Sequence, residues 1–118
     1  HAGGLRYHGM APLVSHVYEL GLAEALAIPQ KECFESAIQF ARTEGIVPAP
    51  EPTHAIAAAI REALACKESG EEKVILTALC GHGHLDLAAY EAFLHGEMTD
   101  IDLSSETIAE SLELVPNL

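Results

Sequence analysis

The residues whose types and spacing could do chemistry are concentrated between Val74 and Asp86, in VILTALCGHGHLD. An apolar run stops there at Cys80-Gly81-His82-Gly83-His84, and the alanine-rich pattern DLAAYEAFL follows. His82, His84 and Asp86 form an H-x-H-x-D group that could hold zinc, because imidazole and carboxylate both ligate that ion. His16 and His54 are further candidate ligands, but no spacing ties them to the group. Asp86 has a second reading as the N-cap or first-turn acid of the next helix, where the helix dipole favours negative charge. The two glycines let the backbone approach a ligand closely, having no side chain to clash.

A second candidate is Glu51, in Pro48-Ala49-Pro50-Glu51-Pro52-Thr53-His54. Prolines on both sides restrict the backbone around this carboxylate, and rigid placement on a loop suits a catalytic or ligand-orienting acid. It reads equally well as a helix-start acid. The third candidate is Gly3-Gly4-Leu5-Arg6-Tyr7-His8-Gly9, whose exposed backbone could bind an ion or phosphate. It has neither a P-loop nor a GxGxxG pattern, and a plain loop is the simpler reading.

The elements that must position these groups alternate. A helix is expected over Ala11–Leu20, stopped by Gly21, then a short strand over Glu24–Ile28 ended by Pro29. Cys33, Phe34, Ala37, Ile38 and Ala41 make one apolar stripe, which predicts a helix over Gln30–Glu44 ended by Gly45. IVPAPEP is extended, because each proline pushes its predecessor out of the helical region. Thr53–Glu68 is expected to be a helix with Thr53 as N-cap. Val74–Leu79 is continuous in its apolar character, as in a parallel strand buried on both faces. Helices over Asp86–Leu94, ended by Gly96, and Ser104–Leu114, capped by Ser104 or Ser105, complete the pattern. Strands alternating with helices indicate α/β architecture. In open sheets of that kind, ligands sit outside the carboxyl ends of strands, where the Cys80–His84 loop would lie.

The 118 residues suffice for one small domain with a core, and 49% hydrophobic against 20% charged content marks a globular chain. A formal charge of −12 argues against nucleic acid and against anionic membranes as partners. The tail after Gly96 holds six acids and no Lys or Arg, which reads as a solvated helix. No apolar run is long enough to span a bilayer. HAGGLRYHG lacks the apolar region of a signal peptide. An odd count of three cysteines without a CxxC pair fits a reducing cytoplasm. Cys33 and Cys66 fall in helical patterns as small core or boundary residues. Opening inside a glycine-rich loop without Met, the chain looks like a piece of something longer.

In order and spacing, AGGLRYHGMAP, RTEGIVPAPEPTHA and VILTALCGHGHLD resemble the C-terminal part of tryptophan synthase beta chains, from residue 1 to at least residue 95. The likeness is to the second subgroup, with its GLRYHG and GHGH-type motifs. It implies a pyridoxal-phosphate-dependent enzyme of the fold-type-II, three-layer α/β/α class, of which this chain would be a fragment with mainly helices and a few parallel strands. Its parts would be a cofactor-side loop at 1–10, an α/β core at 11–95 and an acidic helix or tail at 96–118. The implied activity is β-replacement, in which L-serine loses its hydroxyl and indole takes that place. The resemblance further implies a homodimer and a cytoplasmic setting.

Carried over position by position, Glu51 matches the family's glutamate beside the cofactor. Cys80 stands where the family has a serine that hydrogen-bonds the pyridine nitrogen, and Gly81 and Gly83 match the glycines that follow. Gly4 and Leu5 match the loop flanking the cofactor ring. Tyr7 and Gly9 match positions whose carbonyls bind a monovalent cation. Arg6 replaces an Asp of the better-known subgroup that takes part in domain closure, which leaves coupling to an alpha subunit open. His82 and His84 replace an Arg and an Asp. The family's Schiff-base lysine and phosphate loop lie upstream in its chain order, and none of Lys31, Lys67 and Lys73 has that lysine's context. The chain alone is therefore expected to be inactive. Read from the residues alone, a self-standing α/β module that binds a small molecule or metal through the His82/His84 loop, without catalysis, stays open beside this.

Overall fold

The structure, a computed structural model, describes residues 1–6, 9–101 and 104–113. Those residues form a short 3-10 turn at Gly3–Leu5 and then helices α1 (Pro12–Glu19), α2 (Gln30–Glu44), α3 (Pro52–Ser69), α4 (Leu87–Leu94) and α5 (Ser105–Glu113). Each predicted helix is present, with its described ends moved by at most one residue; the predicted end at Leu114 lies outside the described residues. Gly45 ends α2 in the left-handed conformation, its amide donating to the Ala41 carbonyl, so the predicted stop rests on glycine's tolerance of positive φ. Ser104, rather than Ser105, caps α5 by accepting the Thr107 amide at 3.2 Å.

The apolar stripe of α2 does what its spacing predicts. Cys33, Phe34 and Ala37 are all buried, and burial pushes the Cys33 thiol above its ordinary value. α2 packs along α3 and touches α4. The core gathers Phe34 and Ala37 from α2, Ala89 and Tyr90 from α4, and Met98, with Ile38, Val47 and Phe93 around them. The segment after α4 also straps the start of α2. The Asp100 carboxylate accepts the Lys31 amide at 2.9 Å, a remote cap for a helix whose own N-cap residue, Pro29, makes no side-chain bond. We expect Asp100→Ala to cost about 1 kcal/mol of stability in a denaturant melt, with Asp100→Asn recovering most of it.

Three expectations are corrected. Thr53 is not the N-cap of α3: Glu51 holds that position, Pro52 opens the helix, and the Thr53 hydroxyl donates to the Pro50 carbonyl at 2.5 Å. Proline suits the first helical position, having no N–H to leave unpaired. Glu24–Ile28 forms no strand. Val74–Leu79 is likewise not a sheet strand. Among the described residues the sole β pairing is an isolated antiparallel bridge between Pro48 and His82. Ile75 and Thr77 line an apolar groove with Ile60 and Ala63 of α3, while Val74 and Leu76 are 98% and 95% exposed. The alternation is that of a strand, but no described segment lies alongside to supply ladder partners, so one face rests on a helix and the other meets solvent. The described fold is helical, and the α/β layering expected from the pattern is not formed within it.

Candidate functional site

The Pro48 bridge is the element that builds the site. The Gly83 amide donates to the Val47 carbonyl at 2.8 Å, and the Ala49 amide donates to the Gly81 carbonyl at 3.1 Å. These bonds lay the Cys80–Gly83 loop antiparallel against the proline segment. Continuing the register one pair further sets Cys80 opposite Pro50, next to Glu51 in the chain. Two of the three motifs, some thirty residues apart in sequence, thus form one two-stranded edge.

Gly83 is what permits this approach. A Cβ there would stand 2.4 Å from the Pro48 carbonyl oxygen, 3.0 Å from Val47 Cγ1 and 3.1 Å from Tyr90 Cε2. At Gly81 an added Cβ would meet only the Ala49 Cβ, at 3.1 Å. The loop closes with the Asp86 amide donating to the Gly83 carbonyl at 2.9 Å, after which α4 begins. Asp86 is the N-cap of α4 by position but makes no side-chain cap bond.

The third motif joins through Glu51. Its Oε1 accepts the Gly4 amide at 3.0 Å, and this bond is the main cause that holds the carboxyl below its ordinary pKa. Glu51 makes no side-chain cap bond to its own helix and pins the N-terminal turn. The fit is close, since a Cβ on Gly4 would lie 3.2 Å from the Glu51 side chain. His54 Nδ1 lies 3.1 Å from the Pro50 carbonyl and 3.2 Å from that of Glu51. Beside the same turn, Leu5, Arg6, Phe34, Pro50 and His54 help to line a cavity of about 250 Å³.

The structure thus joins Gly4 to Glu51 by a direct hydrogen bond and Gly81 to Ala49, two residues before Glu51, with Leu5 on the same turn as Gly4 and Cys80, exposed, at the head of the loop. Tyr7 lies outside the described residues, so the cation position proposed from it and Gly9 has no geometry for its first member. Gly9 is exposed with nothing packed on it. The His82 and His84 rings lie 4.7 Å apart, and His82 Nδ1 accepts the His84 amide at 3.3 Å, which occupies one of its two ligating nitrogens. Among the described residues no group of three His, Cys, Asp or Glu could hold a metal ion.

One contributor was missed in the sequence. Tyr90 is 5% exposed, and its hydroxyl donates to the Pro48 carbonyl at 2.5 Å. The available signal was a hydroxyl within the otherwise apolar LAAYEAFL helix, where a buried tyrosine must find a partner.

No protein-family model matches the chain. Among curated proteins, tryptophan synthase beta chain 2 of Aquifex aeolicus is 68% identical over 100 residues, covering 85% of this chain and 23% of that protein. The protein of the same name in Methanosarcina mazei is 60% identical over 98 residues, 83% of this chain and 22% of the relative. That in Thermotoga maritima is 60% identical over 90 residues, 76% and 21% respectively. Over this stretch the chain is similar to tryptophan synthase beta chains, as a C-terminal part of one would be. It spans under a quarter of the length of the relatives it matches.

Proposed function

We propose that this chain is the C-terminal part of a pyridoxal-phosphate-dependent enzyme that makes L-tryptophan from L-serine and indole, and that it supplies one wall of the cofactor pocket. The observation that carries the reading is the convergence of the three motifs that bear the resemblance, through the Gly4–Glu51, Ala49–Gly81 and Gly83–Val47 hydrogen bonds. In this reading residues 1–10 flank the cofactor, 11–95 form part of a fold-type-II α/β/α core, and 96–118 are an acidic tail. Val74–Leu79, exposed on one side here, would be covered in that core. The parent would be a cytoplasmic homodimer.

The residues present fit the cofactor's needs. When bound, pyridoxal phosphate supplies the electron sink for β-replacement. Cys80 would offer a thiol, a weak hydrogen-bonding group, toward the ring nitrogen. A thiol, like serine, does not hold that nitrogen protonated as a carboxylate would. Gly81 and Gly83, by letting the loop lie close against the proline segment, would fix where Cys80 stands relative to the ring. Glu51, kept ionised by the Gly4 amide, would place a fixed negative charge on the imine side. Leu5 would cover a ring face and exclude water.

Lys73, at the mouth of the Val74–Leu79 segment, does not suit covalent attachment. Lys73 donates to Glu62 at 2.9 Å and pairs with Glu71 at 3.1 Å, and these acids hold its amine protonated, the reverse of what a nucleophilic lysine needs. The expected result is that the full-length protein loaded with pyridoxal phosphate forms tryptophan from serine and indole. The 118-residue chain, given the cofactor and reduced with borohydride, should show no single specifically labelled lysine by peptide mass mapping. A stoichiometric pyridoxyl label on one of its lysines would overturn the second claim, and a full-length protein inert toward serine and indole would overturn the first.

A further inference from the structure

We propose that Tyr90 is a positioning residue for the Cys80–Gly83 loop, setting its separation from Glu51. The inference deepens the function proposed above, since it concerns the geometry of the same pocket wall. Tyr90 touches both sides of the bridge that builds the site. Its hydroxyl donates to the Pro48 carbonyl, and its ring edge lies where a side chain on Gly83 would stand. The bridge's own hydrogen bonds use the Val47 carbonyl, the Ala49 amide and two groups of the loop, so they leave the Pro48 carbonyl to Tyr90. Proline has no N–H, and this buried carbonyl therefore fixes the peptide plane just before Ala49.

The ring is anchored in turn. Phe34 meets it edge-on at 5.1 Å, and Phe34 also stacks on Phe93 at 5.7 Å. The core thus reaches the loop through a rigid side chain, beside the Val47 methyls. Packing alone would be met by phenylalanine; only the hydroxyl reads the Pro48 carbonyl. Burial, with a contribution from Asp86, pushes the Tyr90 phenol up to about 12, which favours the protonated hydroxyl that donates to Pro48.

The test is Tyr90→Phe in the full-length protein, with Phe34→Leu as a variant that loosens the same core and leaves the hydroxyl in place. In Tyr90→Phe, amide exchange at Ala49 and Gly83 should accelerate at least tenfold while amides in the middle of α2 and α3 change less than twofold. The bound cofactor's absorbance band should shift, and kcat should fall about tenfold with KM for serine within twofold. Phe34→Leu should lower the melting temperature without that selective exchange. Uniform acceleration across all helices, or no change at Ala49 and Gly83, would overturn the proposal. The exchange measurement needs no cofactor, so it decides the positioning role even if the parent proves not to bind pyridoxal phosphate, an outcome that would sink only the function proposed above.

Discussion

Gly83→Ala should destabilise the fold by about 3 kcal/mol, the upper end of the usual overpacking range. The added methyl would stand 2.4 Å from a backbone carbonyl, not from the end of a flexible side chain. That carbonyl belongs to Pro48, whose side chain is fully buried and whose oxygen is held by the Tyr90 hydroxyl. Neither partner can give way without breaking the bridge at Val47 or repacking Phe34 against Tyr90. The effect is local in origin, so the Cys80–Gly83 loop should detach before the helices melt. A thermal scan together with amide exchange at Ala49, which donates to the Gly81 carbonyl, would read both. Gly3→Ala is the control: an added Cβ there meets nothing within 4 Å, and its effect should stay within roughly 0.5 kcal/mol. Equal melting temperatures for the two variants would refute the close approach described for Gly83.

Glu51→Gln in the full-length protein should lower kcat on the order of a hundredfold, the usual loss when a positioned ionisable group is removed, while shifting the melting temperature by only a few degrees. The side chain makes one hydrogen bond, to the Gly4 amide, and the amide oxygen of glutamine can accept it. Geometry is therefore preserved and charge is lost. Equal losses of stability and turnover would make Glu51 a structural clasp. The pH dependence follows from the same contact. The Gly4 amide favours the ionised form, so the folded-state pKa lies below that of the unfolded chain. The stabilisation is thus fully present above the ordinary carboxylate range and disappears as pH falls through the lowered folded-state value. Protection of the Gly4 amide, followed by NMR, should vanish over that acid window in the wild type and stay flat in Glu51→Gln.

Helices were legible because their signals are local. The stripe of α2, its Gly45 stop and the proline-opened start of α3 each depend on residues within a turn or two of one another, and the chain folds there as its spacing requires. Strands were not, because a strand is completed only by a neighbour. Val74–Leu79 has the apolar character of one, yet nothing in those residues states whether a ladder lies alongside. Thr53 shows the limit of local rules at one residue: it is a good N-cap type, but the two prolines before it move the helix start to Pro52 and turn its hydroxyl to Pro50.

The site divides in the same way. By itself the sequence displayed the candidate groups: a thiol between an apolar run and two glycines, a carboxylate fenced by prolines, and a glycine-rich turn. It also carried the resemblance to tryptophan synthase beta chains, since the three motifs keep their order and spacing. Only the tertiary structure decided that Glu51 spends its charge on the Gly4 amide, that Gly83 is glycine for want of space beneath the Pro48 carbonyl, and that Tyr90 joins the core to the loop. Each of these is a contact between residues at least thirty positions apart, fixed by close packing and by the need of buried polar groups for partners, and neither requirement leaves a trace in local residue spacing.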